Sequence, residues 1–189
     1  TGDGTTGAAL VQSEIDMIVF TGSVATGKKI AQIAADKLIP CVLELGVKDP
    51  FIVLHDAPLK RAVHAAVWSS FFNQGQVCAG TERVYAHQSF ALDLTRQIIK
   101  ATRKLRQRTA GMDNELGPMI NERQLKIVLE HIQDALHKGA TLHCGGKIDA
   151  SLGGLFLQPT VLTDVTSDMK IMKEETFGPV LPIQTFTTD

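Results

Sequence analysis

Short apolar runs alternate with stretches of helical periodicity along nearly the whole chain, and this alternation is the strongest constraint on its fold. Apolar runs typical of strands lie at residues 17–20, 41–45, 51–54, 83–86 and 180–183. Apolar residues at helical spacing occupy residues 25–38, 59–71, 90–105 and 125–136. Because strands that alternate with helices in this way usually pair in parallel, we predict an α/β fold with a mostly parallel sheet covered by helices.

Capping residues predict where some of these helices begin and end. Asp56 has the character of an N-cap, with Pro58 in the first turn, where a missing N–H group costs least. Asn121 is followed by Gln124 at the spacing of a capping box. Gly139 is a suitable residue for the position just beyond the end of that helix.

Composition and charge exclude several classes of protein. The 189 residues include 19 basic and 20 acidic side chains, so the formal charge of −1 offers no electrostatic footprint for DNA or RNA. No apolar run approaches the roughly 18 residues of a membrane span. Three cysteines without a CxxC motif indicate a reduced, intracellular chain, and we expect a cytoplasmic protein.

Several other features receive structural interpretations. A cluster of cations is predicted to form a solvated helix end; it comprises Lys100, Arg103, Lys104, Arg106 and Arg108. The histidines show no metal-binding spacing, and we assign no metal site. Trp68 and Tyr85 are predicted to lie in the core.

Two glycine-rich segments resemble nucleotide-binding motifs. Residues 2–7 match G-x-G-x-x-G in letters, but no strand precedes them, so we predict a flexible loop before a short helix. Residues 22–29 match a P-loop except at the last position, where Lys29 replaces the Ser or Thr that binds Mg²⁺. A P-loop nucleotide hydrolase is therefore an alternative hypothesis. More generally, a strand, a Gly/Ser turn and a helix start suit a phosphate group.

Two residues are candidates for catalysis. Cys78 lies in a turn of small residues between a helix and a strand, where nearby N–H groups could stabilise a thiolate or an oxyanion. A buried structural cysteine is the alternative, and it is the favoured interpretation for Cys41 and Cys144. Glu44 interrupts an apolar strand near its carboxyl end, where α/β folds place ligand sites. It is either a general base, whose pKa partial burial would raise, or a side chain that points to solvent.

Four segments in register carry a resemblance to a known family. They are FTGS at residues 20–23, LELGVKDP at 43–50, NQGQVC at 73–78 and KEETFGPV at 173–180. Each resembles a signature of the NAD(P)-dependent aldehyde dehydrogenase superfamily, and the resemblance extends over essentially all 189 residues. The fold that it implies is a parallel-sheet, Rossmann-like, three-layer architecture.

The resemblance implies a role for each matching residue. Cys78 matches the nucleophile, and Glu44 matches the base that activates water. Glu175 matches the acid that holds the nicotinamide ribose hydroxyls, and Phe177 matches the aromatic residue beside the nicotinamide. The remaining cofactor-binding positions lie in the pyrophosphate turn and at the strand end near the nicotinamide; they are Gly22, Ser23, Val24, Ala25, Thr26, Gly27, Leu45 and Gly46.

The implied reaction is the oxidation of an aldehyde to a carboxylic acid with NAD or NADP. The thiolate attacks the aldehyde, hydride leaves the thiohemiacetal, and the resulting thioester is hydrolysed by water that Glu44 deprotonates. Residues 1–46 would be the end of the cofactor-binding domain, and 47–189 the first and larger part of the catalytic domain. A homo-oligomer, dimer or tetramer, is the implied assembly of the parent protein, and a catalytically dead interaction domain is a further alternative.

The sequence departs from the family pattern in two respects. Val47 replaces a glycine, which would be costly if that backbone required a positive φ or the close approach of a ligand. The chain also lacks an initiator Met, so we expect an internal segment of a longer protein. The asparagine that completes the family oxyanion hole would precede Thr1, and we expect the 189 residues alone to be inactive.

Overall fold

The protein forms two compact units, Thr1–Gly46 and Val47–Asp189, in a computed structural model that describes residues 1–108 and 116–188. The assignment of these parts to a cofactor-binding and a catalytic domain stays a prediction. Residues 109–115 and 189 of the predicted catalytic domain lie outside the described residues.

The first unit is a parallel pair of strands joined by a helix. In chain order it contains α1 (Gly4–Gln12), β1 (Ile18–Gly22), α2 (Val24–Lys37) and β2 (Cys41–Leu45). The register pairs Ile18 with Cys41 at one end and Gly22 with Leu45 at the other. Ile30 and Ala34 of α2 pack on Ile18 and form a small core.

Both helices of the first unit begin at side-chain caps. Ser23 accepts a hydrogen bond from the amide of Thr26 at the start of α2. Asp3 accepts from the amides of Thr5 (2.9 Å) and Thr6 (3.3 Å). The loop predicted at residues 2–7 is therefore wrong, because the Asp3 cap lets the helix start at Gly4.

The second unit is a five-stranded sheet with helices on both faces. Its strands are β3 (Pro50–Val53), β4 (Arg83–His87), β5 (Thr141–Cys144), β6 (Thr160–Thr163) and β7 (Val180–Phe186). Its helices are α3 (Leu59–Phe71), α4 (Ala91–Thr102), α5 (Glu122–His137) and the short α6 (Lys170–Lys173). The strand order is β3-β4-β7-β6-β5, and every neighbouring pair is parallel except β5 with β6.

Successive residues of the central strands face opposite sides of this sheet. Val84 and Leu181 pack in one cluster with side chains of α3 and α4. Their chain neighbours Tyr85 and Val180 pack in a second cluster with side chains of α5 and α6. Since side chains alternate along a strand, the two clusters are the two faces of one sheet. The predicted three-layer α/β architecture with a mainly parallel sheet is confirmed.

A predicted helix cap formed where the capping side chain had no competing hydrogen-bond partner. Asn121 accepts from the amide of Gln124 at 2.9 Å, as predicted. The Gln124 side chain instead donates to two carbonyls of a distant loop, so the capping box is not closed. Asp56 is not an N-cap, because α3 begins one residue after Pro58 and has no side-chain cap.

Trp68 is 61% exposed, so its predicted place in the core is wrong.

Candidate active site

Cys78 lies exposed in a tight turn between α3 and β4. The turn is closed by a hydrogen bond from the amide of Gly80 to the carbonyl of Val77 (3.0 Å). Within the described residues, the amides of Cys78 and Ala79 donate no hydrogen bond. An accessible sulfur with two available N–H groups beside it has the donors that a developing oxyanion requires.

The other two cysteines have different surroundings. Cys41 and Cys144 are half-buried. Burial raises the pKa of the Cys144 thiol above its ordinary value, which opposes thiolate formation. Of the three thiols, only Cys78 is exposed, and it is therefore the best placed to react.

An unusual backbone precedes the cysteine turn. Asn73, Gln74 and Gly75 have φ values of 50°, 62° and 69°, so three consecutive residues are left-handed. A Cβ atom at Gly75 would lie 2.3 Å from the carbonyl oxygen of Gly178. Only glycine allows the cysteine segment and the loop that contains Gly178 to approach so closely.

Side-chain amides fix both ends of this segment. Gln74 is buried, and its Nε2 donates to the carbonyl of Leu157 at 3.0 Å. Gln76 Oε1 accepts from the amide of Ile120 at 2.8 Å. These bonds tie the backbone before Cys78 to two other parts of the second unit, so the position of the thiol is determined by tertiary contacts.

The loop that approaches Gly75 carries the other predicted site residues of the second unit. Glu175 is half-buried, and within the described residues its carboxylate has no hydrogen-bond partner. Burial, and to a smaller extent the negative charge of Glu82, raise its pKa above the ordinary value. Phe177 has a φ of 47°, which is unusual for an aromatic residue. A half-buried carboxylate without a protein partner can accept hydrogen bonds from hydroxyl groups of a ligand.

A buried ion pair beneath this loop was not predicted from the sequence. Lys48 Nζ lies 2.6 Å from Glu82 Oε2 and 2.8 Å from Thr176 Oγ1. Glu82 also accepts the amides of Thr176 and Phe177. Burial lowers the pKa of Lys48, whereas the Glu82 carboxylate acts to raise it. Lys48 lies inside one of the four family-like segments, but no local pattern pairs it with a residue 34 positions away.

His131 of α5 extends the same cluster. Its Nδ1 lies 3.1 Å from Thr176 Oγ1, and its Nε2 lies 3.6 Å from a carboxylate oxygen of Glu174. Burial lowers its pKa, and the nearby Lys48 charge lowers it further. The buried imidazole is therefore favoured in its neutral form.

The remaining predicted positions lie together in the first unit. Parallel pairing aligns Thr21 with Glu44 at the carboxyl ends of the two strands, next to the start of α2. The Glu44 side chain is exposed. The first amides of α2 (Val24 and Ala25) have no acceptor inside the helix, which suits an anion. The sequence predicted a strand, a Gly/Ser turn and a helix; the strand extends to Gly22, and Ser23 alone separates it from the helix.

Two further positions in these motifs are explained by packing and backbone geometry. A Cβ atom at Gly27 would lie 2.5 Å from a side-chain carbon of Leu45, so α2 packs closely on the end of β2. Val47 is not among the residues with positive φ, so this backbone does not require the glycine found in the family motif.

An apolar cavity lies along α3 of the second unit. Its volume is about 1100 Å³, and its lining includes Trp68 and Phe72. The two rings stack with centroids 5.1 Å apart, and each is more than half exposed. Helical periodicity assigned Trp68 to the core, because periodicity does not distinguish a core face from the wall of a cavity.

Within the described residues, no cluster of three or more His, Cys, Asp or Glu side chains has the arrangement of a metal site. None of the described helices is long and apolar enough to span a bilayer.

Replacement of Gly75 by Ala should destabilise the second unit severely. The new Cβ would be strained by the positive φ and would collide with the Gly178 carbonyl. We expect a loss of roughly 3 kcal/mol or more in the free energy of unfolding, measured by denaturant titration. Gly139→Ala is the matched control, because Gly139 has a φ of 99° but open space around it. It should cost only about 1–2 kcal/mol, and an equal loss in both variants would contradict the proposed collision.

The stability of the second unit should fall in mild acid because of His131. Its pKa in the folded state lies below the ordinary value of 6.5, so the unfolded chain takes up the proton first as the pH falls. This contribution to stability is complete above about pH 6.5 and declines below it, by at most about 1.4 kcal/mol per pH unit. Thermal unfolding between pH 7 and 5 measures the effect.

The variant His131→Gln should flatten that pH dependence. His64→Gln, at an exposed histidine, should keep the parental slope. The same slope in the parental protein and in His131→Gln would remove His131 from this role.

Comparisons with known proteins agree with the resemblance in the motifs. The sequence model of the aldehyde dehydrogenase family matches residues 1–189. The 4,4'-diapolycopene aldehyde oxidase of a Methylomonas species is 42% identical over 192 residues, which cover 100% of this chain and 34% of that protein.

Solved structures match the fold closely. The NAD⁺ complex of an aldehyde dehydrogenase from Bacillus cereus has a TM-score of 0.95 and 37% identity, and the match covers 99% of this chain and 38% of that chain. An NADP-dependent enzyme from E. coli has the same TM-score and identity, with 100% and 39% coverage. The chain spans 34% to 40% of the length of the curated relatives it matches. This chain belongs to the aldehyde dehydrogenase family.

Proposed function

We propose that this chain is the part of an NAD(P)-dependent aldehyde dehydrogenase that supplies the nucleophile, the general base and part of the cofactor site. The reaction is the oxidation of an aldehyde to a carboxylic acid. The observation that carries the proposal is the exposed Cys78 in a turn whose preceding segment contacts the loop of Glu175 and Phe177 at Gly75 and Gly178.

Cys78 is the proposed nucleophile. Its thiolate adds to the aldehyde carbon, and the carbonyl oxygen becomes an oxyanion that the amides of Cys78 and Ala79 can stabilise. Hydride loss from that carbon leaves a thioester on the sulfur. Water then hydrolyses the thioester, releases the acid and restores the thiol.

Glu44 is the proposed general base for the hydrolysis. Its carboxylate takes a proton from water, which then attacks the thioester carbon. Its position at the carboxyl end of β2, the end of a parallel strand where α/β folds bind ligands, supports this role.

The chemistry of the predicted cofactor residues fits the parts of a dinucleotide. The start of α2, including residues 22–27, offers amides to a pyrophosphate. Glu175 offers a half-buried acceptor to ribose hydroxyls, and Phe177 offers a ring to the nicotinamide. Leu45 and Gly46 would line the nicotinamide at the end of β2. When bound, the oxidised nicotinamide supplies the hydride acceptor, and both NAD and NADP are candidates.

The cavity along α3 is the proposed wall of the aldehyde site. The stacked rings of Trp68 and Phe72 present exposed apolar surface, and Phe72 lies only six residues before Cys78.

The other predicted properties of the parent protein are a homo-oligomeric state, a cytoplasmic location and no nucleic-acid or membrane partner. Among the alternative functions, a P-loop hydrolase has no specific support. Residues 22–29 form a strand end followed at once by a helix, and Lys29 stands where a Mg²⁺ ligand is required. A catalytically dead domain is the outcome that the following experiments would detect.

Replacement of Cys78 by Ser in the full-length protein should abolish aldehyde-dependent formation of NADH or NADPH. Loss of the nucleophile should lower kcat by roughly 10³-fold or more, measured by absorbance with a panel of aldehydes and both cofactors. Cys41→Ser and Cys144→Ser are matched controls that should retain most of the activity. A parental rate in Cys78→Ser would overturn the proposed nucleophile.

The 189-residue chain should be assayed in the same experiment. We expect no turnover at the parental rate, because the relatives are much longer and the family's oxyanion asparagine would lie outside these residues. Loss of one such donor costs roughly 10²–10³ in rate in a comparable site. Full activity from residues 1–189 would show this expectation to be wrong.

Replacement of Glu44 by Gln in the full-length protein should slow hydrolysis of the thioester more than the first hydride transfer. We expect a rapid burst of NADH or NADPH, followed by turnover slowed by roughly 10²-fold or more. Stopped-flow absorbance resolves the two phases. Glu14→Gln, at an exposed carboxylate of the same unit, should leave both phases unchanged, and unchanged turnover in Glu44→Gln would exclude the role.

A further inference from the structure

The buried pair of Lys48 and Glu82 requires an explanation beyond stability. Lys48 is 8% exposed and Glu82 is 7% exposed. Lysine and glutamate are almost never this deeply buried unless they are paired. The attraction within a buried pair barely offsets the cost of removing both charges from water, so an apolar pair would often be as stable.

The hydrogen bonds of Glu82 point to that explanation. Its two carboxylate oxygens accept the Thr176 amide at 3.0 and 2.9 Å, and one of them accepts the Phe177 amide at 2.7 Å. Lys48 neutralises the same carboxylate and also donates to the Thr176 hydroxyl. The ion pair therefore carries no net charge, and its carboxylate accepts hydrogen bonds from two successive amides of the loop.

The backbone that it holds is strained. Phe177 has a left-handed φ of 47°, although an aromatic side chain disfavours that region. Such a conformation persists only where surrounding contacts enforce it, and it is often found at functional sites. Here Glu82 binds the amide side of the segment, and Gln124 donates to the carbonyls of Thr176 (2.8 Å) and Phe177 (3.3 Å).

We propose that Lys48 and Glu82 are positioning residues that enforce the left-handed backbone at Phe177 and thereby present Glu175 and Phe177 to the nicotinamide end of the cofactor. The cofactor half of this inference rests on the proposed function. The backbone half does not, because it concerns only the conformation of the loop.

Two variants of the full-length protein separate positioning from stability. Glu82→Leu removes the acceptor and leaves Lys48 buried without its counter-charge. The double variant Lys48→Met/Glu82→Leu removes the acceptor but buries no charge. The double variant should therefore recover the part of the Tm loss that comes from the unpaired Lys48 charge.

Two further measurements detect positioning. Hydrogen–deuterium exchange reports the Thr176 and Phe177 amides, and calorimetric titration with NAD and NADP, without aldehyde, reports cofactor affinity. In both variants we expect exchange at these amides to accelerate, and the Kd for the preferred cofactor to rise, each by roughly tenfold or more. Recovery of Tm without recovery of exchange or affinity is the result that supports the proposal.

Asp134→Asn is the matched control. The Asp134 carboxylate also binds a lysine, Lys138 at 2.9 Å, and accepts a backbone amide, that of Lys170 at 2.8 Å. Its loss should lower Tm but leave the Thr176 and Phe177 amides and the cofactor Kd unchanged.

The outcomes that would overturn the proposal are distinct. If the double variant recovers Tm, exchange protection and affinity together, Lys48 and Glu82 have only a structural role. If exchange accelerates and affinity is parental, the cofactor half is wrong. If the parental protein binds neither NAD nor NADP, the proposed function fails and the cofactor half fails with it, while the exchange comparison still decides the backbone half.

Discussion

The close approach of Gly75 to the carbonyl of Gly178 is the contact on which the candidate site of the second unit depends. A Cβ at Gly75 would lie 2.3 Å from that oxygen, so the two backbones approach too closely for a side chain at this position. Each loop carries residues with positive φ at this contact: Asn73 to Gly75 in one and Phe177 in the other. Neither backbone conformation is favourable in isolation. Contacts with the rest of the unit must therefore hold each loop in its conformation.

The tertiary contacts that enforce these conformations come from several elements. Gln74 and Gln76 tie the cysteine segment to Leu157 and Ile120, respectively. Glu82 and Gln124 hold the opposite loop from its amide and carbonyl sides. The sheet serves as the rigid support, because Glu82 immediately precedes β4 and Gly178 lies two residues before the neighbouring strand β7.

The sequence predicts the parts of this structure that local patterns determine. The strand Cys41–Leu45 was predicted with its observed bounds, because Pro40 and Gly46 enclose a short apolar run. The Asn121 cap was predicted because its signal needs only four consecutive residues. The small residues around Cys78 singled it out before any resemblance was considered, whereas Glu175 was selected by motif resemblance alone. The ion pair of Lys48 with Glu82 could not be predicted, because its members are 34 residues apart and each is ordinarily a surface residue.

The loop at Gly178 shows why sequence patterns do not predict strain. A glycine next to Phe177 suggests that the glycine adopts the positive φ, but the structure gives that conformation to Phe177. Gly178 is needed for space instead, since a Cβ there would lie 2.4 Å from Val128.

Burial, and to a smaller extent the charge of Lys48, explains why His131 is favoured as a neutral group. Glu82 offsets a single positive charge, and Lys48 already provides it. A second cation at His131 would face Glu174, whose side chain is 59% exposed and therefore well screened by water. The buried cluster thus tolerates one ion pair and one neutral imidazole, with Thr176 bonded to both.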